Sequence, residues 1–384
     1  MRVSGIDVRD VVEEFGTPIY LLDMDRIREN FLRLNDALKC PHTIAYAYKA
    51  NHEPELVRML SSLGSGATVP SGYGVMLARW AGVPPEKVVL VGPSPSRQDL
   101  AEAASYGATV SLESESEART LRDVGGVDVM VRVNPGLGAG AHPSLVTAGP
   151  GTKFGLPPER ALSLLRSLRG DMNTRGFHTH VGSQIMSVEP FINALDVLRS
   201  LVEQFGGVEV LDLGGGLGIS YEGSGEFPLG EYAEIVCEAS RELGVHIFVE
   251  SGRYIVGDAG YLVARVNYVK EIGGRKWVLL DAGMNDLLRP ALYGAKHRIL
   301  VESEGPEEKV LIAGPVCESA DFFGEYDLPR VREGDLVVIA DVGAYGFSMA
   351  SRYNLRPLPA VVALEGGRYR LLRERESFGR AIFG

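Results

Sequence analysis

The sequence is poor in cysteine and has no surplus of positive charge. Its three cysteines, Cys40, Cys237 and Cys317, lie far apart among 384 residues and are odd in number. We therefore expect reduced thiols in a cytoplasmic protein rather than a disulfide framework. Lysine and arginine number 39 against 50 for aspartate and glutamate. The resulting net charge of −11 disfavours a nucleic-acid partner or an anionic membrane surface.

Long apolar runs are also missing. No stretch approaches the roughly 20 residues that a membrane-spanning helix needs. The first five residues, Met-Arg-Val-Ser-Gly, do not begin a signal-peptide core, which again leads us to expect a cytoplasmic protein with no membrane partner. With 45% hydrophobic residues, the chain is long enough for one large core and a second domain.

What the sequence does contain is a repeat of short apolar runs separated by helical patterns. The strand-like runs lie at 43–48, 66–69, 88–91, 109–112, 127–133, 175–180, 208–213 and 245–250. Eight strands that alternate with helices predict an α/β fold, a (β/α)8 TIM barrel. A doubly wound open sheet is the alternative, but it rarely keeps eight such units in order.

After about residue 258 the pattern changes to strands without long helices between them. These predicted strands lie at 263–272, 276–281, 309–313, 336–340, 360–364 and 369–372. They predict a C-terminal antiparallel β-barrel or sandwich domain, which the early strand 18–22 could join. The predicted domains are a barrel at 25–258 and a β domain formed by 1–24 and 259–384.

Lys49 follows the first predicted barrel strand. The run 43–48 is rich in β-branched and aromatic residues, which predicts a buried strand with Lys49 at its C-terminal end. Barrels of this kind carry their active sites at that end. Two interpretations are open. Lys49 either extends into solvent, or it is a desolvated amine with a lowered pKa, suited to a Schiff base with a carbonyl compound.

A run of glycines follows the seventh predicted strand. Gly214–Gly216, with Gly218 beyond, leave backbone N–H groups able to face an anion without a Cβ in the way. A tight turn is the alternative, although it would need fewer glycines. The loops after strands seven and eight form the usual phosphate site of such barrels. Arg253, just past strand eight, could bind the same phosphate or a substrate carboxylate.

Two further side chains complete a pattern at this barrel end. Glu250 ends strand eight and is either a solvated carboxylate or an acid that faces a cofactor ring nitrogen. A carboxylate there keeps a pyridinium protonated, which makes the ring a better electron sink. His180, at the end of strand six, supplies a flat ring for stacking. Together with Lys49 and the glycine run, these residues predict a pyridoxal 5′-phosphate (PLP) site.

A metal site is the alternative from a different class. His178 and His180 form an H-x-H pair on one face of a strand, and such pairs can hold a metal for hydrolysis. The other histidines do not stand at predicted strand ends beside an aspartate. We therefore expect no metal.

Several short motifs resemble the fold-type III, PLP-dependent amino-acid decarboxylases, whose barrel is alanine-racemase-like. These motifs lie at 48–51 (Tyr-Lys-Ala-Asn), 180–184 (His-Val-Gly-Ser-Gln), 213–218 (Leu-Gly-Gly-Gly-Leu-Gly) and 250–253 (Glu-Ser-Gly-Arg). The stretches most similar to the diaminopimelate decarboxylase branch lie at 281–286, 289–293, 314–321 and 343–350. The resemblance extends over nearly the whole chain.

The resemblance implies roles for individual residues. Lys49 would hold the cofactor covalently, His180 would stack on its ring and Glu250 would pair with the ring nitrogen. The residues implied around the cofactor phosphate are Ser183, Gly214, Gly215, Gly216, Gly252, Arg253 and Tyr345. Those implied at the distal end of the substrate are Arg253, Arg289, Tyr293, Glu318 and Tyr345. Cys317, as proton donor, and Glu318 would reach the site of a neighbouring subunit, which implies a homodimer with shared sites.

The implied reaction is decarboxylation of meso-2,6-diaminopimelate to L-lysine and CO2. The alternatives are decarboxylation of ornithine, arginine, carboxynorspermidine or a carrier-bound amino acid, and a non-catalytic paralogue that binds PLP. Arg289 favours a distal carboxylate, unless it is a surface residue paired with Asp286.

One stretch departs from the family. Where Asp-Val-x-Ser-x-x-Glu is common, residues 68–74 read Thr-Val-Pro-Ser-Gly-Tyr-Gly, without either carboxylate.

Overall fold

A computed structural model of the protein describes residues 1–125, 127–140, 142, 148–149, 151–221, 223 and 225–383. The strands are β1 (Arg2–Val3), β2 (Ile6–Asp7), β3 (Ile19–Asp23), β4 (His42–Ala47), β5 (Gly66–Val69), β6 (Val88–Val91), β7 (Thr109–Leu112), β8 (Asp128–Val133), β9 (Ala139–Gly140), β10 (Asn173–Thr179), β11 (Gly182–Ser183), β12 (Val210–Asp212), β13 (His246–Val249), β14 (Gly260–Ile272), β15 (Arg275–Leu280), β16 (Ile299–Val301), β17 (Glu307–Ala313), β18 (Phe322–Pro329), β19 (Leu336–Ala340), β20 (Ala360–Glu365) and β21 (Arg368–Arg373). The α-helices are α1 (Val8–Phe15), α2 (Met24–Ala37), α3 (Pro54–Ser62), α4 (Gly72–Trp80), α5 (Arg97–Tyr106), α6 (Glu115–Val124), α7 (Pro158–Ser167), α8 (Glu189–Phe205), α9 (Leu229–Leu243), α10 (Arg253–Val256), α11 (Arg289–Tyr293) and α12 (Phe378–Phe383).

Eight parallel strands close into a barrel in the order β4, β5, β6, β7, β8, β10, β12 and β13, and β13 pairs with β4. Every predicted barrel strand overlaps an observed one, so the predicted (β/α)8 barrel is confirmed and the open sheet is excluded. The barrel interior is filled by apolar side chains. One buried cluster of them consists of Ala45, Val89, Met130, Val210 and Phe248.

A second, larger sheet gathers strands from both ends of the chain. Its order is β18, β17, β15, β14, β3, β20 and β21, and β19 pairs with both β14 and β16. The early strand, β3, does join this sheet, because it pairs with β14 and β20. Most pairings are antiparallel, as predicted, but β3 with β20 and β15 with β17 are parallel. A buried cluster that includes Val11, Ile19, Val263, Val338 and Val362 holds these segments together.

The chain divides into two compact units. One consists of Met1–Asn30, Ser220–Gly225 and Ile255–Gly384, and the other of Phe31–Ile219 and Glu226–Tyr254. Each unit has its own buried apolar cluster. Within the described residues, every helix is too short or too polar to cross a membrane.

Cys40 and Cys237 form a disulfide whose Cα atoms lie 5.2 Å apart. The expectation of reduced thiols is therefore wrong for these two residues, whereas Cys317 is a free, exposed thiol. The bond joins the segment before β4 to helix α9 across a sequence separation of 197 residues. A cross-link over so long a loop restrains the unfolded chain, which typically stabilises the fold by about 2–4 kcal/mol.

Candidate active site

Lys49 lies in the turn that follows β4, at the barrel end where the carboxyl ends of the strands meet. Backbone hydrogen bonds fix this turn. The Ala47 N–H donates to the Ser251 carbonyl oxygen (3.3 Å), and the Tyr48 N–H donates to the Thr68 carbonyl oxygen (3.1 Å). The Lys49 side chain is exposed, so the amine is not desolvated in this structure, and its covalent role stays a prediction.

Glu250 directly follows β13 and is only 4% exposed, so it is not a solvated carboxylate. Thr68 Oγ1 donates a hydrogen bond to Glu250 Oε1 (3.0 Å), and His178 Nε2 lies 3.5 Å from Oε2. Burial raises the pKa of Glu250. The neighbouring His178 and Lys49 outweigh burial and lower that pKa to about 2. Glu250 is therefore ionised at neutral pH.

Asp212 is the last residue of β12 and lies beside Glu250 in the barrel interior. Its Oδ1 accepts a hydrogen bond from the Gly214 N–H (2.9 Å). Burial, followed by the charge of Glu250, raises the pKa of Asp212 well above its ordinary value. Two neighbouring buried carboxyls cannot both ionise at low cost. The raised pKa favours the protonated form of Asp212 beside the ionised Glu250.

Sequence reasoning did not single out Asp212 as a site residue, nor Ser111 in β7, whose Oγ lies 2.7 Å from His178 Nδ1. Both residues lie in short apolar strands, where a single polar residue does not form a recognisable motif. An ionisable residue directly before a glycine run, on a strand with both faces covered, is the signal that could have identified Asp212.

His180 follows β10 and presents a buried, neutral ring. The Gly215 N–H donates to His180 Nδ1 (3.1 Å), so that nitrogen carries no proton. Burial first, then the charges of Lys49 and Arg132, lower the pKa of His180 well below its ordinary value. A flat, uncharged imidazole at this position suits stacking against an aromatic ring.

The glycine run is required by close backbone approach. A Cβ on Gly214, whose φ is +65°, would lie 2.4 Å from the Thr179 carbonyl oxygen. A Cβ on Gly215 would lie 2.2 Å from the Glu250 carbonyl oxygen. The loop therefore passes directly against the ends of β10 and β13, and any side chain would push it away from them.

Ser183 and Arg253 form a polar pair near the same barrel end. Arg253, the first residue of α10, is 6% exposed, and its Nη2 donates to Ser183 Oγ (3.0 Å). Gly252 before it packs so closely that a Cβ would lie 2.8 Å from the Ala50 Cβ. A buried guanidinium and a hydroxyl suit a bound anion such as a phosphate.

One group of side chains in the described residues could hold a metal ion, and it differs from the H-x-H pair considered as an alternative in the sequence. His178, Asp212 and Glu250 place ligand atoms within 4.8 Å of one another. His180 lies outside this group and bonds the glycine loop instead.

Arg289, in the other unit, is buried rather than on the surface, so its interpretation as a surface residue is wrong. Its Nη1 lies 2.9 Å from His297 Nε2, and His297 Nδ1 lies 3.0 Å from the Ala340 carbonyl oxygen. These contacts imply that Nδ1 carries the proton and Nε2 accepts from the guanidinium. The ring of Tyr221 lies 4.7 Å from the guanidinium carbon. Arg289 is thus held in a defined orientation.

Cys317 and Glu318 lie on an exposed turn of the same unit. Asp321 organises this turn by accepting the Val316 N–H at 2.6 Å. The Cys317 N–H donates to Asn354 Oδ1 (3.1 Å), and Glu318 accepts a hydrogen bond from the Tyr353 hydroxyl. An exposed thiol beside a carboxylate is accessible to a partner molecule.

Tyr293 and Tyr345 lie in the same unit and are partly buried. Tyr293 is the last residue of α11. Tyr345 has a positive φ of 58° in the turn after β19. A non-glycine residue in this conformation is strained and is frequent at functional sites.

Comparison with known proteins adds an independent observation. The family model described as "Pyridoxal-dependent decarboxylase, pyridoxal binding domain" matches residues 24–257. The diaminopimelate decarboxylase of Methanothermobacter thermautotrophicus is 38% identical over 407 residues, covering 100% of this chain and 95% of the relative. That of Aquifex aeolicus is 34% identical over 392 residues, covering 98% of this chain and 93% of the relative.

Solved structures agree with these sequence relatives. Diaminopimelate decarboxylase from Helicobacter pylori, complexed with L-lysine, superposes with a TM-score of 0.93 at 34% identity, covering 98% of each chain. A lysine/ornithine decarboxylase from Vibrio vulnificus, complexed with putrescine, gives a TM-score of 0.84 at 27% identity, covering 93% of this chain and 97% of the other. The similarity therefore extends over both units.

Proposed function

This chain belongs to the pyridoxal-dependent decarboxylase family, and we propose that it converts meso-2,6-diaminopimelate into L-lysine and CO2. Full-length similarity to diaminopimelate decarboxylases carries the proposal. The protein is a PLP-dependent carboxy-lyase, and its reaction belongs to lysine biosynthesis.

The residues at the barrel end fit PLP. Ser183 and the buried guanidinium of Arg253 form a pair suited to the phosphate, beside a glycine loop whose backbone has no room for side chains. We propose that this pair and the backbone of Gly214–Gly216 and Gly252 hold the phosphate, with Tyr345. Lys49 would bind the cofactor covalently, and the neutral ring of His180 would stack against it.

Bound PLP supplies an electron sink for the electron pair left on carbon when CO2 departs. Glu250 would hold a proton on the ring nitrogen, because a buried, ionised carboxylate stabilises a neighbouring cation. The thiol of Cys317 would donate the proton that replaces the lost carboxylate. The carbon–carboxylate bond breaks and a carbon–hydrogen bond forms, which balances the reaction.

We propose that Arg289, Arg253, Tyr293, Tyr345 and Glu318 bind the distal end of the substrate. The guanidinium of Arg289, held by His297, suits the distal carboxylate, and Glu318 suits the distal amine. Because a lysine/ornithine decarboxylase from Vibrio vulnificus has a similar structure, ornithine or another basic amino acid is the second candidate substrate.

A substrate panel tests this function. With PLP added, we expect L-lysine and CO2 from meso-2,6-diaminopimelate, with kcat/KM about 10²-fold or more above that for ornithine, arginine, lysine or carboxynorspermidine. Arg289→Lys keeps the charge but loses the planar fork, so KM should rise about tenfold with a smaller change in kcat. A preference for ornithine or arginine, or a variant that behaves like the wild type, would show that this assignment is wrong.

We also propose that the active protein is a homodimer in which Cys317 and Glu318 serve the partner's site. Their exposure supports a role outside their own unit. Mixing Lys49→Ala with Cys317→Ala subunits should restore up to about a quarter of wild-type activity, since half of the dimers are mixed and each contains one intact site. Absence of recovery after demonstrated subunit exchange would contradict shared sites.

The domain and location predictions complete the proposal. We propose that residues 25–258 act as the PLP-binding domain and that 1–24 with 259–384 act as the β domain carrying the residues for the partner's site.

We propose a cytoplasmic location because the reaction belongs to amino-acid biosynthesis. The Cys40–Cys237 disulfide does not exclude it, since some intracellular proteins contain disulfides. Cell fractionation that finds the protein outside the cytoplasm would refute it.

A further inference from the structure

Thr68 stands where the family pattern has an aspartate, and it contacts the carboxylate of Glu250. It lies in β5, next to β4 in the barrel, and is 5% exposed. Its Oγ1 is 3.0 Å from Glu250 Oε1 and 3.4 Å from the Ala45 carbonyl oxygen. A hydroxyl has one proton to donate. The nearer, ionised carboxylate is the stronger acceptor, so the proton points to Glu250.

An aspartate at position 68 would meet an unfavourable environment in this chain. Glu250 already has Asp212 as a buried acidic neighbour. A third carboxyl within hydrogen-bond distance of Glu250 would force another group to take up a proton or would repel Glu250. A hydroxyl donates to the carboxylate without adding a charge.

We propose that Thr68 is a positioning residue, whose hydroxyl holds Glu250 Oε1 so that the carboxylate is oriented toward the ring nitrogen of PLP. This inference rests on the proposed function, in which Glu250 pairs with that nitrogen. Thr68 binds one carboxylate oxygen, while His178 lies on the side of the other. The two contacts fix the plane of the carboxylate from both sides.

The second missing acid has a separate, local explanation. At position 74 the family pattern has a glutamate, whereas this chain has Gly74 in helix α4. A Cβ on Gly74 would lie 2.6 Å from the Val69 Cβ. Helix α4 packs too closely on β5 for a side chain at position 74. Of these two positions, only Thr68 has a side chain, and its hydroxyl contacts Glu250.

The test compares three variants loaded with PLP that is ¹⁵N-labelled at the ring nitrogen. Thr68→Val keeps the shape but removes the donor, and Thr68→Ser keeps the donor. Thr43→Val makes the same chemical change in β4, where the Thr43 hydroxyl contacts His246 instead. For Thr68→Val we expect the ¹⁵N resonance to move toward the unprotonated position and kcat to fall roughly tenfold. Thr68→Ser and Thr43→Val should stay within about threefold of wild type.

The outcomes separate this inference from the proposed function. Thr68→Val with an unchanged ¹⁵N resonance and a kcat matching Thr43→Val would overturn the role of Thr68 while leaving the function intact. An unprotonated ring nitrogen in a wild-type enzyme that still releases lysine would do the same. A wild-type protein that binds no PLP would overturn the proposed function, and this inference with it.

Discussion

Replacing Glu250 by glutamine is expected to leave PLP bound and to lower kcat by about 10²-fold or more. Burial raises the pKa of Glu250, but His178 and Lys49 outweigh burial and lower that pKa to about 2. The lowered pKa favours the charged carboxylate at neutral pH. Glutamine has nearly the same shape but no charge, so the ring nitrogen would lose its proton more readily and the electron sink would weaken.

The matched control is Glu234→Gln, the same change at an exposed position of helix α9. PLP content, measured by absorbance, and kcat are determined for both variants and the wild type. The control should match the wild type in both. If Glu250→Gln retains kcat within a few-fold of this control, Glu250 has only a structural role.

Replacing Lys49 by alanine is expected to remove the covalent attachment of PLP and to lower activity by at least about 10³-fold. Lys49 also has an electrostatic effect. Burial first, then the charge of Lys49, lower the pKa of His180. Burial raises the pKa of Glu250, whereas His178 and then the charge of Lys49 lower it. Alanine removes both the amine and the charge. A second variant is therefore needed to separate them.

Lys49→Arg keeps the positive charge but cannot form the covalent bond with PLP. We expect it to be as inactive as Lys49→Ala, while both variants keep the wild-type melting temperature within a few degrees, since the side chain is exposed. The measurements are kcat and thermal unfolding. An active Lys49→Arg variant would show that charge alone is required and would contradict a covalent role.

The barrel could be predicted from the sequence because its strands are covered on both faces. Runs such as β6 (Val88–Val91) then consist almost entirely of apolar residues and stand out between amphipathic helices. Strand β18 was missed because polar and charged residues, such as Glu325 and Asp327, interrupt its apolar positions. The parallel pairing of β3 with β20 joins segments from the two ends of the chain, which no local pattern specifies.

Parts of the candidate site depend on packing that sequence patterns do not encode. The disulfide joins Cys40 and Cys237 across 197 residues. The sequence shows only that position 68 lacks the carboxylate of the family pattern. The structure shows that the Thr68 hydroxyl donates a hydrogen bond to Glu250. Lys49 was correctly placed at a strand end, but its exposure depends on how the turn after β4 is held.

Borohydride reduction of the PLP-loaded protein, followed by peptide mapping, tests the central claim most directly. The claim is that the amine following β4 binds the cofactor of this decarboxylase. Reduction fixes the bond between PLP and its lysine, so the modified peptide identifies that lysine. We predict one adduct, on Lys49, which is absent from Lys49→Arg. An adduct on another lysine, or no adduct in a protein that releases lysine from meso-2,6-diaminopimelate, would contradict the account.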